Sequence, residues 1–174
     1  MTDAISMPRP SQLWKRLSAD RRRLAADAFW RDENAAGEQA DALAAIAQRI
    51  RFRLKSVFAM PHDKKVQHLL ALPAVSEAAA ARLLVCYHLE QQRPMMGRFL
   101  DALGIAHEDG LIADESLTAP APDRLRAAAD TLAASFPADD VSLYLSTLVW
   151  QDPDTWGGLA ELPLVRDASP APRA

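Results

Sequence analysis

Between Leu125 and Phe136 the apolar residues fall at Leu125, Ala128, Ala129, Leu132, Ala133 and Phe136, and after a Pro-Ala-Asp-Asp break the same spacing resumes with Val141, Tyr144, Leu145, Leu148 and Val149. Recurrence at three and four residues gathers side chains on one face of an α-helix and does not match the period of two that a strand requires. The residues that recur matter as much as their spacing. The chain holds 34 Ala and 23 Leu against 7 Val and 5 Ile, so its apolar content consists of helix formers rather than β-branched strand formers. Spacing and residue type together predict an all-α chain.

The same reading extends toward both ends. Helical pattern begins at Ser11, and Ser18 is placed to N-cap a second helix in which Leu24, Ala25, Ala28 and Phe29 share a face. A longer helix is expected from about Glu38 to Lys55, with Ala40, Leu43, Ala44, Ala47, Ile50 and Leu54 as its buried stripe. Pro61 separates it from a helix over His62 to Leu72, and Ser76 caps the segment that carries Ala81, Leu84, Val85 and His88. His88 sits on that apolar stripe and reads as a core histidine. Pro94 opens the next helix, which Gly104 and Ile105 close by a left-handed turn. From Ala106 to Pro122 no period is sustained; Asp109-Gly110 marks a turn, and Leu111 and Ile112 are expected to dip into the core. Asp152 and Pro153 suit the cap and first position of a short last helix.

These segments add up to a compact irregular bundle of about eight or nine short helices in a single domain over residues 11–162. A flexible arm, 1–10, precedes it and a disordered tail, 163–174, follows; an internal division would fall near 106–122. No run of apolar residues approaches the 18 or so of a membrane span, and the N-terminal residues lack the basic-then-apolar pattern of a secretion signal. One cysteine, Cys86, forms no internal disulfide and suits a reducing compartment. The expected location is the cytosol, with no membrane contact.

Charge is distributed unevenly. Residues 1–98 hold 16 Lys and Arg against 10 Asp and Glu, and residues 99–174 hold 4 against 13. A basic front and an acidic back can attract partners of opposite sign, or a second copy of the chain. The cations gather at Lys15, Arg16, Arg21, Arg22 and Arg23, then at Arg49, Arg51, Arg53 and Lys55, then at Lys64 and Lys65. On one continuous helix Arg49 and Arg53 would lie about 200° from Arg51 and Lys55, which makes no single phosphate-tracking stripe. Arg21, Arg22, Arg23, Arg49, Arg51, Arg53 and Lys55 are the candidate contacts for an anionic partner.

Catalytic groupings are sparse. His62 and His68 lie six apart, on different helical faces, and form no ligand pair; no metal or cofactor is expected. The densest group is His107-Glu108-Asp109-Gly110, where His107 and Asp109 are the candidates for general acid-base work. The surrounding GRFLDALGIAHEDGLI resembles the recognition helix and first wing strand of winged-helix proteins, a resemblance that implies a DNA-facing helix. Arg98 beside Asp101, with Glu108 and Asp109 close by, would repel phosphate there, so no family follows from it. Met95, Met96 and Phe99, like Trp14, Trp30, Trp150 and Trp156, read first as core packing.

The function expected from these residues is a non-enzymatic protein-protein interaction module, an adaptor, assembly or regulatory subunit able to self-associate, with no small-molecule ligand. The alternatives are a nucleic-acid-associated regulator using the basic half and a small acid-base enzyme centred on His107.

Overall fold

The computed structural model describes residues 7–114 and 116–167. It is all-α, with eleven α-helices and one very small hairpin among the described residues. The chain divides into two compact units, one made of Arg9–Gln91 and the other of Gln92 onward joined by the segment up to Pro8. This division nearly coincides with the charge split. Arg9–Gln91 carries 14 Lys and Arg against 9 Asp and Glu, a net +5, whereas the remainder of the sequence carries 6 against 14, a net −8.

The basic unit contains α1 (Pro10–Arg16), α2 (Ala19–Arg31), α3 (Ala36–Ile50), α4 (Leu54–Phe58), α5 (His62–Leu70) and α6 (Glu77–Gln91). Its central element is α6, which packs on α1, α2 and α3. Burial of Ala79, Ala80, Leu83, Leu84, Cys86, Tyr87 and His88 covers more than one side of this helix, where Ala81 and Val85 of the expected stripe are only half-buried. The neighbouring α2 buries Ala25, Ala26, Ala28 and Phe29, so small side chains meet on both helices and their axes can approach closely. Leu24, expected on that face, stays exposed. Local chemistry starts the helices: the Ser18 Oγ accepts the Arg21 N–H at 3.3 Å and the Ser76 Oγ accepts the Ala79 N–H at 3.1 Å.

The helix expected to run to Lys55 ends at Ile50. Arg51 takes the left-handed conformation, φ 56° and ψ 38°, and the Phe52 N–H donates back to the Ala47 carbonyl at 3.1 Å, as in a Schellman turn. That turn redirects the chain so that α4 packs on α3 with Val57 fully buried. The buried stripe of α3 is Ala42, Leu43, Ile46 and Ala47, not the one expected: Ala40, Ala44 and Leu54 are exposed. Arginine in a left-handed position carries strain that glycine would not. Arg51→Gly is expected to raise the unfolding free energy by about 0.5–1 kcal/mol, measured as a rise in the urea midpoint at unchanged slope. An unchanged or lower midpoint would mean that the turn is not strained.

The acidic unit contains α7 (Arg93–Leu103), the strands β1 (His107–Glu108) and β2 (Leu111–Ile112), then α8 (Pro122–Ser135), α9 (Ala138–Gln151), α10 (Pro153–Trp156) and α11 (Pro163–Arg166). Here α7 packs on α8, and α9 is covered by α10, α11 and the 3-10 turn Gly157–Glu161. Met95, Met96, Phe99, Leu100 and Leu103 are the buried face of α7. Gly104, φ 69°, ends α7, with the Ile105 N–H donating to the Leu100 carbonyl at 2.9 Å. Asp152 caps α10 through the Thr155 N–H at 3.1 Å.

Pro163–Arg166, placed with the tail by sequence, form a helical turn that buries Val165, because an apolar side chain three residues past Leu162 can still reach the core. Pro10, placed in the arm, is the first residue of α1, where its missing N–H costs nothing. Residues 1–6 and 168–174 of those two segments lie outside the described residues. No helix among the described residues is long and apolar enough to cross a membrane.

Candidate functional site

The stretch after α7 is a two-residue strand pair, with His107 opposite Ile112 and Glu108 opposite Leu111. Asp109 and Gly110 form its turn with φ of 49° and 81°, the two positive values that a tight hairpin turn matching strand twist demands. The hairpin lies directly on α7. A Cβ on Gly110 would fall 2.8 Å from the Met96 Cβ, and one on Gly97 would fall 3.2 Å from the His107 ring, so the contact depends on both glycines.

His107 fastens the hairpin in place. Its Nδ1 accepts the Gly110 N–H at 3.1 Å, and its Nε2 lies 3.0 Å from the Asp101 carboxylate, so the hydrogen-bond network assigns the ring proton to Nε2. Arg93 adds a donation to the Asp109 carbonyl at 3.0 Å. Both ring nitrogens are therefore engaged in joining the hairpin to α7, and the Asp109 side chain, on the exposed turn, takes no part in that bond set. Leu111 and Ile112 do not dip into the core: they are 45% and 36% exposed. The hairpin is held by polar contacts and glycine packing rather than by these two side chains.

The candidate cations separate into two groups. Arg21, Arg22 and Arg23 sit in the first turns of α2, where the first two are half-buried and Arg23 is exposed beside a shallow groove lined by Leu24, Asp27 and Val66. Arg49, Arg51, Arg53 and Lys55 are all exposed around the corner between α3 and α4. Because the helix ends at Ile50, the opposed faces expected for these four do not exist. In the sequence they neighbour three large apolar side chains whose exposure sequence reasoning missed: Phe52 is 57% exposed, Leu54 53% and Phe58 67%. A signal was available, since apolar residues alternating with cations in Arg51-Phe52-Arg53-Leu54-Lys55 fit no helical stripe. On α5, the Lys65 ammonium stands 5.2 Å from the Phe58 ring centre and 5.9 Å from that of Trp30.

Elsewhere in the basic unit the polar side chains hold helices together. Asp27 receives Arg31 at 2.8 Å and lies 2.7 Å from His62 Nε2. The His62 hydrogen bond and the Arg31 guanidinium hold its carboxyl below the usual carboxylate range, against a smaller effect of burial. For Asp32 burial opposes ionisation, yet the Asn34 N–H, the Cys86 thiol and the Arg82 guanidinium together lower its pKa. Burial, reinforced by Asp32, pushes the Cys86 thiol up to about 12, so it stays protonated and unreactive. Among the described residues no three His, Cys, Asp or Glu side chains converge as a metal site. Family models, curated proteins and solved structures were all compared with this chain, and none matches.

Proposed function

We propose that this chain is a protein-interaction module, an adaptor, assembly or regulatory subunit, that docks an acidic partner through the corner between α3 and α4. One observation carries the reading: three large apolar side chains within seven residues are each more than half exposed, and cations flank them. Scattered exposed hydrophobics are ordinary on a protein surface, whereas a contiguous group with a polar rim is the pattern of a binding surface. Arginine and aromatic side chains together are also what interface hot spots favour. The strained left-handed Arg51 adds support, since strain of this kind gathers at functional positions.

Nucleic acid is the second reading, favoured by the same cations. Two features weigh against it. Leu54 offers no ring for a base to stack on, and the Lys65 ammonium already occupies a face of Phe58. Acid-base chemistry at His107 has less support, because both its ring nitrogens are committed to the hairpin.

The test compares the wild-type chain with Phe52→Ser/Phe58→Ser in parallel affinity captures, with circular dichroism as the check that the variant is folded. The expected result is a specific protein retained by the wild type and lost by the variant. Identical captures by the two folded proteins would remove the corner as a docking surface.

A further inference from the structure

The corner has a counterpart on the acidic unit. Leu111 and Ile112 are exposed on β2, and the carboxylates of Glu108, Asp109 and Asp114 are exposed around them. Strand alternation puts Leu111 with Glu108 on the side of the hairpin opposite to His107, whose ring faces α7. The two surfaces are thus opposite in sign: apolar side chains with cations at 51–58, and Leu111 with the carboxylates at 108–114, while Ile112, opposite His107, lies on the side that faces α7. Each belongs to the unit whose net charge has its own sign, +5 and −8. The hairpin also needs no ordering on contact, because His107, Arg93 and the two glycines already fix it on α7.

We infer that the partner that fits the corner is a second copy of this chain, whose acidic hairpin docks on Phe52, Leu54 and Phe58. The inference rests on the corner being a protein-docking surface. Each contact joins a corner on one copy to a hairpin on another; two copies that exchange both contacts close into a two-fold dimer, and otherwise each added copy leaves one corner and one hairpin unused. Leu111 against three apolar side chains makes the centre of a small interface, below about 1,200 Å², with the charged groups as its rim, and contacts of that size are weak. Self-association is therefore expected only at high protein concentration. Salt loosens it, since the Debye length falls from about 10 Å at 0.1 M to about 3 Å at 1 M and the charged rim is exposed.

Sedimentation velocity on the full chain, from about 10 µM to about 1 mM protein at low and high salt, tests this. The wild type should self-associate at the upper end, with affinity at least about fivefold weaker in high salt. Phe52→Ser/Phe58→Ser and Glu108→Lys/Leu111→Ser should each stay monomeric, and an equimolar mixture of the two should form a one-to-one complex, because each variant retains the face that the other lacks. Arg51→Gly, which relieves backbone strain, should melt higher and yet self-associate about twofold more weakly, which separates loss of contact from loss of fold. A wild type that remains monomeric throughout overturns the inference, as does a mixture of the variants that forms no complex. So does a monomeric wild type that binds vesicles containing phosphatidylserine or a labelled single-stranded oligonucleotide. The docking reading is judged separately: if the wild type is monomeric but retains a different protein that the corner variant loses, the corner binds a partner and only the second copy is excluded.

Discussion

Phe99→Ala is expected to remove about 3–5 kcal/mol from the stability of the acidic unit. Phe99 is fully buried on α7, with its ring edge-on to Tyr144 of α9 at 5.7 Å between centres and tilted against Trp156 of α10 at 5.8 Å. Truncation forfeits the transfer of the ring out of water and leaves a cavity, and two aromatic pairs worth about 0.5–1.5 kcal/mol each are lost as well. In a unit of this size each kcal/mol moves the melting temperature by about 4–8 °C, so a fall on the order of 15 °C should follow. Thermal melts read by tryptophan fluorescence would register it, since Trp156 belongs to the same cluster. Phe99→Leu, which refills most of the volume, should cost about 1–1.5 kcal/mol. A loss under about 1 kcal/mol for the alanine variant would contradict the aromatic cluster.

Acidification should unfold the protein through His88. Complete burial in α6 pulls its pKa down to about 3, and in the unfolded chain it returns to the ordinary value of 6.5. Below 6.5 the unfolded state therefore binds a proton that the folded state refuses. The stability contributed by the neutral ring is fully present above 6.5 and declines as pH falls from there toward 3, at about 1.4 kcal/mol per pH unit. Between pH 7 and pH 4.5 the expected loss is about 2.5–3 kcal/mol.

The depressed carboxyls act in a different window. Asp27 and Asp32 have folded pKa values below the ordinary 3.8, so their contribution is present above that value and is lost only as pH falls through the lower, folded ones. Urea denaturation at pH 7, 5.5 and 4.5 thus isolates the histidine. The stability that the wild type loses between pH 7 and pH 4.5, less that lost by His88→Leu, should equal the loss above. Parallel pH profiles for the two proteins would show that His88 is not the group responsible.

Which parts of this fold could be read from the sequence follows from the range of the interactions involved. Ser18, Ser76, Asp152 and Gly104 each act on backbone groups within four residues, and each does in the structure what its residue type predicts. The apolar period of residues 122–151 marks two helices, yet α8 leaves Ala133 of the expected stripe exposed, and α9 is buried on more than one side, Leu143, Ser146 and Thr147 included. The candidate surfaces were harder to read. Arg51 carries no mark of a left-handed stop, since glycine or asparagine is the usual residue there. Nothing between Arg51 and Lys55 states that Val57 will be buried while Leu54 and Phe58 stay out. Similarly, the Asp109-Gly110 turn was legible, but the Gly97 contact and the His107 bond that hold the hairpin down on α7 join residues up to ten positions apart.

By itself the sequence determined the all-α class, where most helices begin, and an opposition of charge between front and back. Those properties depend on residue type and near-neighbour spacing. The tertiary structure decided where α3 stops, which side of each helix is covered, and which apolar side chains remain in water. Burial depends on what packs against a side chain rather than on its own identity, so Val57 and Leu54, three positions apart and equally apolar in kind, end in opposite environments.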